Sequence, residues 1–300
     1  MKLLIAVAVL PALAVLLYIR HIDKVEREPW GLLLKIVLFG ALSVIPILIC
    51  EGIVSFFNNS LFPEGSLLHG ICNAFLCAAL CEESFKLLAL RGRTWKSPEF
   101  NYTFDGVVYG VAVSMGFAVV ENILYVLSNG LGTGILRALT SIPGHAIFGV
   151  FMGLYYGLAK QADLLGRVSE RKRCMFLAWL TPLLLHGFYD VWLMVDIPYL
   201  PLVGLVYYII LVIVAFKRLS RLRKEDTPLP VPTVPNVPPY PNMPTYPNMP
   251  TYPTAPNVPP ANQYPPYQNG AGNFPQQPYN GVGNPQQPPF QNPYDPTGRQ

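Results

Sequence analysis

The sequence has few charged residues, and this scarcity excludes an ordinary soluble domain. Asp, Glu, Lys and Arg make up 13% of the 300 residues, against about 25% in soluble globular proteins. The five cysteines are odd in number and lack metal-type spacing, so they indicate neither a disulfide framework nor a thiolate site. The HExxH motif of many zinc proteases is missing. The net charge of +4 is explained by basic loops and gives no reason to expect a nucleic-acid partner.

What the sequence has instead is long apolar runs, which make 52% of it hydrophobic. Runs of this length suit a hydrocarbon core about 30 Å thick. The fold class predicted is all-α, a polytopic membrane protein with about seven transmembrane helices in a domain of residues 1–226. The first run predicts a retained helix, because no clear cleavage site precedes Arg20, although a cleaved signal peptide stays an alternative. The runs cover residues 3–19, 32–49, 67–90, 104–127, 135–159, 175–195 and 199–216.

The basic residues predict the orientation of these helices. Most Lys and Arg residues lie in the segments 20–30, 91–103, 160–173 and 217–224, whereas the alternate loops hold only Lys2 and Arg137. Cytoplasmic loops accumulate Lys and Arg. We therefore expect a multi-pass protein of the cell (plasma or inner) membrane, with its N-terminus outside and its C-terminus in the cytoplasm.

The composition changes at residue 227. From there to residue 300, Pro, Asn, Gln, Tyr and Gly dominate, and such a segment cannot bury enough apolar surface to offset its ordering entropy. We predict a disordered cytoplasmic tail. A solvated spacer is one interpretation, and docking to aromatic-lined grooves is the other.

Ionisable residues interrupt four of the apolar runs, and such residues within a membrane indicate a functional site. One helical turn separates Lys86 from the acids Glu82 and Glu83, so a structural ion pair explains one acid and leaves the other as a candidate base. The remaining polar residues lie on three further runs, where Asp190 shares a helical face with His186. They are Glu121, Asn122, His145, His186 and Asp190. The structural alternatives are a protonated Glu121 bonded to Asn122 and a satisfied core His145.

These residues carry a resemblance to a known family. The chain resembles the PrsW family of intramembrane proteases over about residues 15–216, through Glu82-Glu83-x-x-Lys86, Phe117-x-x-x-Glu121 and His186-x-x-x-Asp190. The likeness extends to Glu28-Pro29 and Asp105-Gly106. It implies a polytopic protease, whose best-known member cleaves a membrane-anchored anti-sigma factor at its first site. It also implies distant kinship with the CAAX prenyl protease superfamily, although Lys86 and Glu121 depart from that pattern and make prenyl-protein processing doubtful.

Peptide hydrolysis requires a base for water and stabilisation of the oxyanion. Glu82 or Glu83 is the candidate base, and His186 and His145 are candidates for stabilising the oxyanion or protonating the leaving amine. The alternative is a zinc ion held by some of Glu82, Glu83, Glu121 and His186. Because Glu121 is predicted deeper in the membrane than Glu83, it belongs either to the catalytic centre or to the substrate path.

The expected partners are the lipid bilayer and a membrane-anchored protein substrate, for which an anti-sigma factor is the candidate. Two other functions compete with the protease. A transporter would use the same acids and histidines as a proton relay, but no internal repeat is visible. A catalytically inert scaffold would need nothing from these residues. The complete set of motifs favours the protease.

Overall fold

The computed structural model describes residues 2–230, and every regular element within them is a helix. Apart from the helices there is one isolated β-bridge, between Tyr102 and Pro228. The predicted all-α fold class is confirmed, and helix covers each of the seven predicted runs. The elements are α1 (Lys2–Ile22), α2 (Trp30–Leu42), α3 (Val44–Leu61), α4 (Leu67–Cys72), a π-helix (Asn73–Leu80), α5 (Cys81–Thr94), α6 (Asp105–Leu139), α7 (Ser141–Leu164), α8 (Val168–Met194) and α9 (Leu200–Lys224).

Several of these helices are apolar enough to cross a membrane. By length and composition, five helical stretches of the described chain qualify: Lys2–Ile22, Trp30–Leu61, Asp105–Leu164, Val168–Met194 and Leu200–Lys224. The 60-residue stretch Asp105–Leu164 contains two of the predicted runs. The run 67–90 is not among the five, and it contains a π-helix, two acids and a lysine. A multi-pass membrane protein is therefore confirmed, while the number of seven crossings stays a prediction.

Two of the helical runs change direction at identifiable residues, Ser43 and Gly130. Pro46 has no N–H to donate to the preceding turn, and α2 gives way to α3 at Ser43. Gly130 has φ +80° and ψ −169° inside α6, a conformation that glycine adopts without a Cβ clash. It divides α6 into a long arm, 105–129, and a short arm, 131–139.

A seam of small residues joins α6 to α7. The backbone of Gly110 lies against Gly149, and that of Gly106 lies against Gly153, so that a Cβ on any of them would collide with the facing carbonyl group. Small residues permit this close approach of helices. The seam is antiparallel, and it brings His145, one turn before Gly149, beside Phe117 with ring centroids 5.4 Å apart.

The basic loops meet at one end of the helices, which we call the basic pole. Asn101 donates to Glu26 at 3.0 Å, and Lys160 donates to the Trp95 carbonyl at 2.8 Å. The chain after α9 packs there as well. Asp226 accepts the Phe104 N–H at 2.9 Å, and Leu229 is buried. The packed chain thus continues to residue 230, beyond the predicted boundary at 226, and the rest of the predicted tail lies outside the described residues.

Candidate active site

Lys86 is the centre of a buried ionic cluster on α5. Its Nζ donates to Glu82 Oε2 at 2.9 Å and to Glu83 Oε1 at 2.8 Å, and all three side chains are almost inaccessible to solvent. The ammonium also lies 4.0 Å from the centre of the Phe117 ring, an arrangement that favours a cation. The lysine therefore pairs with both acids and not, as the simplest sequence interpretation had it, with one.

His145 on α7 links this cluster to Glu121 on α6. Its Nδ1 lies 3.3 Å from Lys86 Nζ, and its Nε2 lies 2.9 Å from Glu121 Oε2. An ammonium group can only donate, so we assign Nδ1 as the acceptor and place the ring hydrogen on Nε2, facing the carboxylate. Each ring nitrogen thus has a polar partner. His145 is therefore a member of the ionic cluster and not an isolated core histidine.

His186 on α8 completes the group from the other side. Its Nδ1 lies 3.0 Å from Glu83 Oε1, and its Nε2 lies 3.2 Å from Asp190 Oδ2, one helical turn along. Phe148 stacks on the ring with centroids 4.8 Å apart. The i, i+4 pairing expected from the sequence is therefore present, and the stacked phenylalanine fixes the plane of the imidazole.

Glu121 lies at the same centre despite its greater predicted depth. Helix α5 ends at Thr94, four residues beyond the predicted end, so Lys86 and the acids lie farther from the end of their helix than the depth count assumed. The imidazole of His145 then spans the remaining separation. Glu121 thus belongs to the cluster through His145, and it does not contact the acids of α5 directly.

A cavity of about 980 Å³ reaches this cluster. Glu82, Glu121, His145, His186 and Asp190 line it, whereas Glu83 and Lys86 do not. Its other end is lined by exposed Glu64 and Gly65, in the loop between α3 and α4, on the side of the molecule opposite the basic pole. Of the two adjacent acids, only Glu82 therefore borders space that water can occupy.

Sequence reasoning missed two residues of this region. Glu51 on α3 lines the cavity, and the signal for it was a lone acid just beyond the end of an apolar run. Arg137 in the short arm of α6 pairs with Glu121 Oε2 at 2.6 Å. Its signal was a basic residue within an apolar run on the side otherwise poor in basic residues. Asn122, expected to support Glu121, instead accepts a hydrogen bond from Arg137 Nε at 2.7 Å.

The donor set suits a metal ion such as zinc. Glu82, Glu83, His145 and His186 are all buried, and each offers one ligand atom within 4.8 Å of the others. Carboxylate oxygens and imidazole nitrogens are typical zinc ligands. Glu83 Oε2 is also buried without a hydrogen-bond partner, so it could accept a further ligand. His145 takes the position in this set that the sequence analysis gave to Glu121, because Glu121 contacts the far nitrogen of that ring.

Comparison with known proteins identifies the family. Residues 28–216 match the family described as PrsW family intramembrane metalloprotease. A protein named Protease PrsW from Geobacillus kaustophilus is 41% identical over 191 residues, 64% of this chain and 79% of that protein. Proteins of the same name from Oceanobacillus iheyensis (36% over 220 residues, 73% and 95%) and Clostridioides difficile (36% over 212 residues, 69% and 86%) are also similar. No solved structure matches the chain. The chain belongs to the PrsW family, and the predicted peptidase class is confirmed.

Proposed function

We propose that the chain hydrolyses a peptide bond of a membrane-anchored protein, with Glu82 as the base that activates water. The observation that carries this proposal is the convergence of Glu82, Glu83, His145 and His186, from three helices, at the end of one cavity. Of the two acids, Glu82 borders the cavity and Glu83 does not. Glu82 can therefore take a proton from a bound water, whose oxygen then adds to the peptide carbonyl carbon.

The other residues of the cluster have distinct roles in this proposal. Glu83 accepts a hydrogen bond from Lys86, and its Oε1 lies 3.0 Å from His186 Nδ1. It therefore holds the side chains of Lys86 and His186 in fixed positions. Because carboxylates lie at both ring nitrogens of His186, a ring that donates from both satisfies both contacts. Such a ring carries a proton that it can give to the leaving amine. His145, fixed between Lys86 and Glu121, is the second candidate for stabilising the oxyanion.

Zinc is the cofactor that the donor set and the family description favour. Three of Glu82, Glu83, His145 and His186 would hold it, and a bound zinc ion would acidify a water in its remaining position and polarise the peptide carbonyl. A residue that holds the ion would do so in place of the proton-transfer role described above. Lys86 bears on this proposal, because its ammonium contacts three of these four donors. The protein therefore already contains a cation among the ligand atoms that zinc would use.

The substrate we propose is a single-pass membrane protein, with an anti-sigma factor as the candidate. The cavity opens away from the basic pole, and the basic pole is the side that the positive-inside rule assigns to the cytoplasm. In this orientation the scissile bond enters from the outer half of the membrane. A reporter fused after Lys224 should accordingly be cytoplasmic, and an exterior signal from it would reverse the orientation.

The proposed base is tested with reconstituted protein and a fluorogenic peptide carrying one transmembrane segment. Glu82→Gln should reduce the cleavage rate by on the order of 10² to 10⁴, the usual contribution of general acid–base catalysis. Glu170→Gln, the same change at an exposed carboxylate on α8, is the matched control and should cleave normally. Near-normal cleavage by folded Glu82→Gln would exclude Glu82 as the base.

A further inference from the structure

The short arm of α6 folds back along the long arm. After the turn at Gly130, Gly134 packs against Val126, so closely that a Cβ on the glycine would meet the valine side chain. The end of the arm is held by Tyr208 of α9, whose hydroxyl donates to the carbonyls of Leu139 and Thr140 at 3.1 and 3.2 Å. The arm is therefore a defined element, and it returns Arg137 to the level of Glu121.

Arg137 makes three contacts with the long arm. Its Nη2 lies 2.6 Å from Glu121 Oε2, and its Nε donates to Asn122 Oδ1 at 2.7 Å. Its Cζ lies 3.9 Å from the centre of the Tyr125 ring. A guanidinium that is bonded, paired and stacked in this way has little freedom left. Its side chain and that of Glu121 are largely buried, with 16% and 17% of their surfaces exposed.

One oxygen connects this arrangement to the active site. Glu121 Oε2, the atom paired with Arg137, is also the atom that faces His145 Nε2 at 2.9 Å. The opposite nitrogen of His145 then faces Lys86, which holds both acids of α5. The contacts with Asn122 and Tyr125 alone could anchor the arm. The pairing with Glu121 also connects the arm to His145, because the same carboxylate oxygen contacts both residues.

We propose that Arg137 is a positioning residue, which fixes the Glu121 carboxylate so that this carboxylate holds the Nε2–H of His145. This inference rests on the proposed function, since it assumes that His145 acts in the reaction. The short arm then sets the orientation of an imidazole that Arg137 does not touch. Removing a residue that holds a reacting group in place, without itself contacting the substrate, typically lowers activity by about 10- to 100-fold.

The test separates this role from a structural one by a double-mutant cycle. Cleavage is measured for Arg137→Gln, Arg137→Lys, Glu121→Gln and the double variant Arg137→Gln/Glu121→Gln, with thermal unfolding followed in parallel. Arg171→Gln is the matched control, because it removes an arginine–carboxylate pair of 2.8 Å at the basic pole. We expect Arg137→Gln to lower kcat about 10- to 100-fold with little change in KM, and Arg137→Lys to restore part of the loss.

In the Glu121→Gln background the further change of Arg137 to Gln should have little effect, because the carboxylate through which it acts is gone. A loss that persists in full in that background would overturn the proposal. So would an increase in KM at unchanged kcat, which would indicate a substrate contact, or a lowered unfolding temperature at normal kcat, which would indicate a tether only. If Arg137→Gln is active but Glu82→Gln is inactive, only this inference fails. If Glu82→Gln is active, the proposed function fails.

Discussion

Replacing Lys86 by Met should strengthen zinc binding. In the structure the Lys86 ammonium lies 2.9 Å from Glu82 Oε2, 2.8 Å from Glu83 Oε1 and 3.3 Å from His145 Nδ1. These are three of the four groups that could hold a metal ion. Lysine and zinc would therefore draw on the same lone pairs, and zinc can bind the full set only when the ammonium moves away. Methionine fills a similar volume without charge and leaves these donors free.

The magnitude follows from the repulsion between two cations in one site. At an effective dielectric constant of 20, unit charges 4 Å apart repel by about 4 kcal/mol, and the double charge of zinc raises this to about 8 kcal/mol. Movement of the lysine relieves most of that energy. Because each factor of ten in affinity corresponds to about 1.4 kcal/mol, we expect Lys86→Met to bind zinc roughly 10- to 1,000-fold more tightly than the unaltered protein.

The measurement is competition against a fluorescent zinc chelator, with purified protein in detergent and thermal unfolding recorded with and without zinc. Without the metal, Lys86→Met should be the less stable protein, because it leaves two adjacent buried acids without their cation, a loss of about 3 to 5 kcal/mol for such pairs. Zinc should restore that stability. Lys96→Met, which removes an exposed lysine, serves as the control and should bind zinc as the unaltered protein does. Equal zinc affinity of Lys86→Met and the unaltered protein would refute the competition between the two cations.

Two further predictions concern the basic pole. A chain ending at residue 230 should insert and cleave normally. A chain ending at residue 225 should unfold at a lower temperature, because it loses the hydrogen bond from Phe104 N–H to Asp226 and the burial of Leu229. Equal unfolding temperatures of the two chains would show that these contacts contribute nothing to stability. Burial raises the pKa of the Asp23 carboxyl to about 6, and the charge of Asp226 adds to the shift. The folded protein therefore binds more protons than the unfolded chain between pH 4 and 6. Its stability falls as the pH rises through that window. Asp23→Asn should therefore be more stable than the unaltered protein by about 1 to 3 kcal/mol at pH 7, after allowance for screening by water, and should show no advantage at pH 4. Unfolding of the two proteins in detergent is measured at both pH values, and a stability difference that does not change with pH would contradict this account.

Helix identity and the shared faces of the polar residues were predictable from the sequence, because both depend on local spacing. His186 and Asp190 are one turn apart and pair as expected, and Lys86 is one turn from Glu82 and Glu83. The composition also predicted a boundary between the membrane domain and a tail at residue 226, and that boundary stays a prediction. Within the described residues the chain stays packed past that position, because the β-bridge at Pro228 satisfies backbone groups that composition alone leaves to water.

Contacts between helices were not predictable, since they depend on how the helices pack against one another and not on local spacing. The metal-ligand set expected from the sequence contained Glu121, and the structure has His145 in that position. Which of the two reaches the acids of α5 is decided by the glycine seam between α6 and α7, which sets how far the two helices slide past each other.

The pairing of Arg137 with Glu121 shows the same limit most clearly. The two residues are 16 positions apart, and a straight helix would separate them by about 24 Å. They meet because Gly130 adopts a positive φ and reverses the chain between them. Gly130 lies between the predicted runs 104–127 and 135–159, so a turn was expected there. Nothing in the sequence indicated that the arm after this turn ends at Leu139 and brings Arg137 to Glu121. The sequence analysis counted Arg137 among the few basic residues opposite the predicted cytoplasmic loops. Its pairing with Glu121, however, depends on the backbone conformation of Gly130, seven residues away.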